Sequence, residues 1–191
     1  NIAALDTKTG LATEWNPVIS PSYVEGEVYA LSLNLDHSIL YVGGNFTGIG
    51  GQRRIGLAAL DTKTALATEW NSNVGTNFYV ATFKENNLGT IYTLSLSPDG
   101  SILYVGGNFD QIGGQPHPLY DFDNTSSFGL GGIIHPDSST IGGQIRNNFA
   151  AVDAKTGKVL PLNFNTSDTV LALSLNSNGS TLYIGGVFNS I

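Results

Sequence analysis

Short apolar runs, none longer than a strand, return along the chain in the same order. VYALSLN from Val28, IYTLSLS from Ile91 and VLALSLN from Val170 are one run in three versions. ILYVGGNF from Ile39 and again from Ile102, and TLYIGGVF from Thr181, are another. Runs of this length, rich in Val, Leu and Tyr, predict strands covered on both faces. They are joined by LDHS, SPDGS or NSNGS, and Asp-Gly and Asn-Gly are strong hairpin signals. A third run is IAALDT from Ile2, LAALDT from Leu57 and FAAVDA from Phe149; a TKTG-type turn sends it back into a fourth, LATEWN or its equivalent. No stretch has a helical period.

Asp6 and Asp61, which open two of the TKTG-type turns, lie 55 residues apart; Asp61 and Asp153 lie 92 apart. The surplus of 37 sits in two joints, 29 residues after the second GGNF and 8 after the second EWN. Insertions confined to joints, with the apolar runs unchanged, mark those joints as surface loops. The chain therefore divides into repeats at residues 1–54, 55–115 and 141–191, with an insertion at 116–140. Four antiparallel strands at a period of roughly 55 residues describe a β-propeller blade. The expected fold is all-β, with three four-stranded antiparallel blades. Because propellers need roughly four to eight blades to close, this is a partial propeller or one completed by other chains. The two ends are in phase with the repeat, as expected of a segment of a longer propeller or of a mature subunit that self-associates. Gly43-Gly44, Gly106-Gly107 and Gly185-Gly186 follow a buried strand, where a missing side chain permits a bulge or close backbone approach. No Gly-Lys-Ser/Thr follows them, so a phosphate cradle is disfavoured.

The block ALDTKTGLATEW resembles the propeller repeats of the pyrroloquinoline-quinone dehydrogenases and their non-enzymatic relatives. With GGNFTGIGGQ before LAALDTKT and EWN, the unit is more similar to the delta-60 type propeller repeat of secreted and surface proteins. The resemblance covers nearly all of the chain outside the insertion, and implies an extracellular, multi-bladed, non-catalytic scaffold. It has departures. Gly10 and Trp15 are five residues apart where the quinoprotein repeat has four, Ala65 replaces the turn glycine, and Leu162 stands where Trp15 and Trp70 do. The quinone enzymes also use a vicinal disulfide and a calcium-bound cofactor, and this chain has no cysteine.

The candidate chemistry is sparse. Asp6, Asp61 and Asp153 could ligate a cation, but Asp at such a position ordinarily accepts hydrogen bonds from its own turn. Trp15 and Trp70 could stack on a sugar, but a Trp recurring in phase with the strands is expected between blades. Within the insertion, Asp121 and Asp123 alternate as calcium ligands would, near Asn124 and Asp137, without the closing Glu of an EF-hand loop. His117 and His135 do not make a zinc site. The same insertion carries Tyr120, Phe122 and Phe128, more apolar surface than a solvated loop needs. Glu14 and Glu69 recur with the repeat rather than forming one catalytic pair. Asn45, Asn124, Asn165 and Asn178 begin glycosylation sequons, in a number close to what composition gives by chance.

Charge adds exclusions. The chain carries 8 Lys and Arg against 15 Asp and Glu, a net charge of −7, and only 12% charged residues. No basic patch exists for nucleic acid, and no apolar run approaches the ~18 residues of a spanning helix. Absent cysteine removes disulfide, zinc–thiolate and thiol-nucleophile chemistry. Absent methionine, even at position 1, suits a processed or excised segment. The expectation is therefore a non-catalytic extracellular or cell-surface structural module without a cofactor. Its partners would be other blades or other copies of itself. A glycan- or peptide-binding propeller and a polysaccharide-active propeller enzyme are the alternatives.

Overall fold

A computed structural model describes residues 2–20, 26–75, 89–116, 140–141 and 143–191. Among them lie fifteen strands: β1 (Ile19–Ser20), β2 (Glu27–Leu33), β3 (Ile39–Asn45), β4 (Gly48–Ile49), β5 (Gln52–Arg53), β6 (Leu57–Asp61), β7 (Asn73–Gly75), β8 (Thr90–Leu96), β9 (Ile102–Asn108), β10 (Gln111–Pro116), β11 (Thr140–Ile141), β12 (Gln144–Ile145), β13 (Phe149–Asp153), β14 (Val170–Leu175) and β15 (Leu182–Gly186). The described residues contain no helix. The insertion candidates Asp121, Asp123 and Asn124 fall outside the described residues.

The long runs form three sheets, all antiparallel: sheet A in the order β2-β3-β6, sheet B in the order β8-β9-β13, and sheet C as the pair β14-β15. Sheets A and B share one register, Tyr41 facing Ala59 in A as Tyr104 faces Ala151 in B. Two expectations need correction. The fourth run of each repeat makes a single bridge instead of a strand, at Leu5↔Ala12, Leu60↔Ala67 and Val152↔Val159. The cause is local. The Trp15 and Trp70 amides donate to the hydroxyls of Thr13 and Thr68, each at 3.2 Å, a turn that competes with the ladder. In the third copy Pro161 has no N–H to give. The second correction is one of phase. Sheet A takes β2 and β3 from the first repeat but β6 from the second, and sheet B draws likewise on the second and third. Sheet C has two strands among the described residues, and no sheet closes on itself.

The pleat sorts side chains to two faces. On sheet A, Val42, Ala58 and Leu60 pack toward the N-terminal segment, with Ile2 and Trp15. Tyr41, Leu57 and Ala59 pack the other way, onto Leu103, Val105 and Val152 of sheet B. Tyr104, Phe149 and Ala151 of B then meet Val170, Leu173 and Ile184 of C. The order is thus N-terminal segment, A, B, C. The first strands adjoin, with Tyr29 of β2 and Tyr92 of β8 5.3 Å apart and the Leu173 amide donating to the Thr93 hydroxyl at 3.2 Å.

All three sheets carry a bulge at the same place, between Val28 and Ala30, Ile91 and Thr93, and Val170 and Ala172. Opposite stand Gly44, Gly107 and Gly186, where a Cβ would strike the carbonyl of Glu27, Thr90 or Thr169. The Gly-Gly motifs thus admit the partner backbone itself. Gly50 and Gly51, at φ 61° and 78°, turn β4 into β5. The paired positive φ values are those of a tight hairpin, and this pairing was not anticipated from the sequence.

His37 sits at φ 60° in the β2–β3 turn, where the equivalent turns of B and C hold Gly100 and Gly179, both at φ 72°. Its side chain is exposed, so His37→Gly removes left-handed strain without emptying any packing. The substitution should raise stability by about 0.5–1 kcal/mol in urea unfolding.

Candidate functional site

Each aspartate that opens a TKTG-type turn is used by that turn. Asp6 Oδ1 accepts from the Lys8 and Thr9 amides at 2.9 and 2.8 Å. Asp61 accepts from Lys63 and Thr64 at 2.9 and 2.7 Å, and Asp153 from Lys155 and Thr156 at 3.1 and 2.7 Å. The Thr hydroxyl of each turn adds a further bond. These bonds hold the carboxyls below their ordinary range. The Thr9 amide leads for Asp6, the Thr64 amide for Asp61 and the Thr156 hydroxyl for Asp153. Asp99, in the β8–β9 turn, is drawn down to about 2, first by the Ser97 hydroxyl and then by Ser101.

The sign for stability follows. A carboxylate whose folded pKa is depressed binds fewer protons folded than unfolded, so it stabilises above about pH 3.9. That contribution is lost as pH falls through the lowered folded value. The urea midpoint should therefore drop steeply from about pH 4 toward pH 2. Asp99→Asn should lower the midpoint at neutral pH and flatten the acid slope.

Trp70 ties sheet A to sheet B, and Trp15 ties the N-terminal segment to sheet A. The Trp70 indole donates to the Asp153 carbonyl of sheet B at 3.4 Å, as Trp15 does to the Asp61 carbonyl of sheet A at 3.2 Å. Trp70 and Tyr41 lie 5.5 Å apart at 59°, and the Tyr41 hydroxyl donates to the Ala154 carbonyl at 2.6 Å. A cleft of about 500 Å³ opens beside them between A and B, with Asp36, Glu69, Asp99 and Lys155 on its walls. Its aromatic floor is closed, since Trp70 is 7% and Tyr41 3% exposed. Neither ring offers a free face for a sugar. Asp36 and Asp99 accept hydrogen bonds within their own turns. Among the described residues no group of three His, Cys, Asp or Glu could hold a metal, and no helix is long and apolar enough to cross a membrane.

Of the sequons, Asn165 and Asn178 are exposed, and both side chains accept backbone amides, from Asn147 at 3.4 Å and Ser180 at 3.0 Å; Asn45 is half-buried at the end of β3. Sequence reasoning missed Arg54 and Arg146. Each sits after an IGGQ segment and reaches two carbonyls, those of Arg53 and Thr68 at 2.9 and 2.7 Å, and those of Ile145 and Leu160 at 2.7 and 3.0 Å. They pin the fourth run of the second and third repeats where the ladder does not. Their common place in GGQRR and GGQIR was the available signal.

The surface left over is the outer side of sheet C. Tyr183 is 63% exposed, whereas its equivalents Tyr41 and Tyr104 are buried. A Cβ on Gly43 would lie 2.5 Å from Ile91 of the next sheet, and one on Gly106 2.6 Å from Val170. One on Gly185 would meet only Ala172, at 3.7 Å. At the other end of the stack, Leu5 is 62% exposed although Leu60 and Val152 at the same place are fully buried. No protein-family model matches the chain, and no curated protein matches it.

Proposed function

We propose that this chain is a set of β-propeller blades of the delta-60 type. It would work as a non-catalytic structural and assembly module of an extracellular or cell-surface protein. The observation that carries this is the repeated interlock. Trp15 and Trp70 each bond the backbone of the following sheet at the same turn residue, so the side chains that recur with the repeat are committed to joining sheets. Adjoining first strands and one stacking order from sheet to sheet are what radial repetition requires. Low charge and absent cysteine suit a surface built on Asn, Ser, Thr and Gly. The native protein should neither retain nor cleave any member of a polysaccharide panel. Saturable glycan retention that Glu69→Gln in the A–B cleft abolishes would overturn the proposal in favour of a ligand-binding propeller.

A further inference from the structure

We propose that Tyr29 and Tyr92 form a site of oxidative cross-linking: hydrogen peroxide, acting through a haem peroxidase, joins their rings into a dityrosine that welds sheet A to sheet B. Such a weld is a property of these two repeats, whatever molecule they serve. Composition directs the oxidant to phenols. Cysteine and methionine, the side chains on which oxidants ordinarily act first, are both absent. Trp70, Tyr41 and Tyr104 are buried, and Trp15 is half-buried with its N–H held by the Asp61 carbonyl. Tyr29 is exposed and Tyr92 half-buried. Tyr92 keeps that exposure with a first strand packed on either side, β2 and β14, so the pair meets solvent in the interior of the stack.

The bulges bring the two rings together. Tyr29 is the extra residue between Val28 and Ala30 in β2, and Tyr92 the one between Ile91 and Thr93 in β8. A bulged residue stands outside the ladder, so its ring can shift without breaking a cross-strand pair. Because β2 and β8 adjoin, the ring centroids lie 5.3 Å apart at 42°, contact distance for two aromatic rings. Among the described residues no other two tyrosines are in ring contact. The same bulge in sheet C holds Leu171, which has no phenol to give.

The Tyr29 hydroxyl donates to the Glu27 carboxylate. That bond first, and partial burial after it, keeps the phenol protonated, its pKa pushed up to about 12. An electron therefore leaves Tyr29 together with its proton, and Glu27 is placed to take the proton and pass it to water. Ring contact hands the radical to Tyr92, whose own proton goes to water, and a second oxidation at Tyr29 follows. The two radicals couple through one carbon–carbon bond between the Cε atoms beside the hydroxyls. The hydrogens on those carbons move to the two oxygens and restore both phenols. In all, two electrons and two protons leave the chain and convert one hydrogen peroxide into two waters. Neighbouring rings held in one chain couple at a high effective concentration. The bond joins residues 63 positions apart and constrains the unfolded chain as a disulfide would.

The full chain, treated with a haem peroxidase and hydrogen peroxide in its native state, should gain dityrosine fluorescence and lose the mass of two hydrogens. It should still run as a single chain on a denaturing gel, and its urea midpoint should rise. Fragmentation of the linked peptides should place the bond between Tyr29 and Tyr92. Tyr29→Phe and Tyr92→Phe preserve the rings and should each lose the bond within the chain. Tyr183→Phe, which removes the most exposed of the described tyrosines, should keep it. The chain oxidised in urea should show no preference for this pair. Linked peptides that join Tyr29 to another tyrosine, a bond formed only between chains, or no dityrosine in a chain whose circular dichroism shows intact sheets would overturn the proposal.

Discussion

Gly107→Ala should cost on the order of 3 kcal/mol or more, among the largest effects a single methyl can have. Gly107 has no left-handed φ, so its backbone suits alanine. The obstacle is the Thr90 carbonyl directly over the position where a Cβ would sit. That oxygen belongs to the backbone of β8 and cannot rotate away as a side chain would. The bulge at Tyr92 must open, and with it the contact between β8 and both neighbouring first strands. Gly51→Ala is the control. It has a φ of 78° but nothing within 4 Å of the added carbon, and should cost only about 1 kcal/mol. Urea unfolding of the two variants checks the contrast. Equal costs would show that glycine acts here through flexibility, with close approach contributing nothing.

Trp70→Ala should destabilise by about 3–5 kcal/mol. The ring is buried between sheets A and B, packs against Tyr41 and reaches across to the Asp153 carbonyl. Truncation opens a cavity and removes the indole bond, while that carbonyl keeps the Gly157 amide at 2.9 Å as its donor, so the cavity dominates the cost. Trp15→Ala should lose less, because Trp15 is only half-buried. Trp70→Leu, which copies the natural residue Leu162 of the third repeat, should fall between. Thermal unfolding of the three variants gives the order.

Much of the architecture is legible in the sequence because each strand carries its own apolar pattern and each turn its own polar signal. The hairpin sequences place β2–β3, β8–β9 and β14–β15. The aspartates of the TKTG-type turns read as turn acceptors from position alone. Other features depend on context. Whether LATEWN extends a ladder or leaves it after one bridge is decided by the Thr hydroxyl two residues before Trp, a competition that β-propensity does not register. Gly-Gly in GGNF and in IGGQ look alike as letters. The first admits a neighbouring carbonyl, and the second, at Gly50-Gly51, forms a left-handed hairpin turn, although the IGGQ from Ile112 lies within β10. Arg54 and Arg146 seemed too few to matter as charges, but they act as donors to backbone carbonyls. The open face of sheet C is legible only by comparison. The same Tyr and Gly are buried in sheets A and B, so their exposure in C becomes visible once the three sheets are laid side by side.

The central claim is that sheets A and B are each completed by the repeat that follows. An electron-microscopy reconstruction of the native particle tests this most directly. The account predicts sheets side by side about one axis, with β6 paired to β3 through Tyr41 opposite Ala59 and β13 paired to β9 through Tyr104 opposite Ala151. A particle in which β3 or β9 takes its third strand from its own repeat would contradict it.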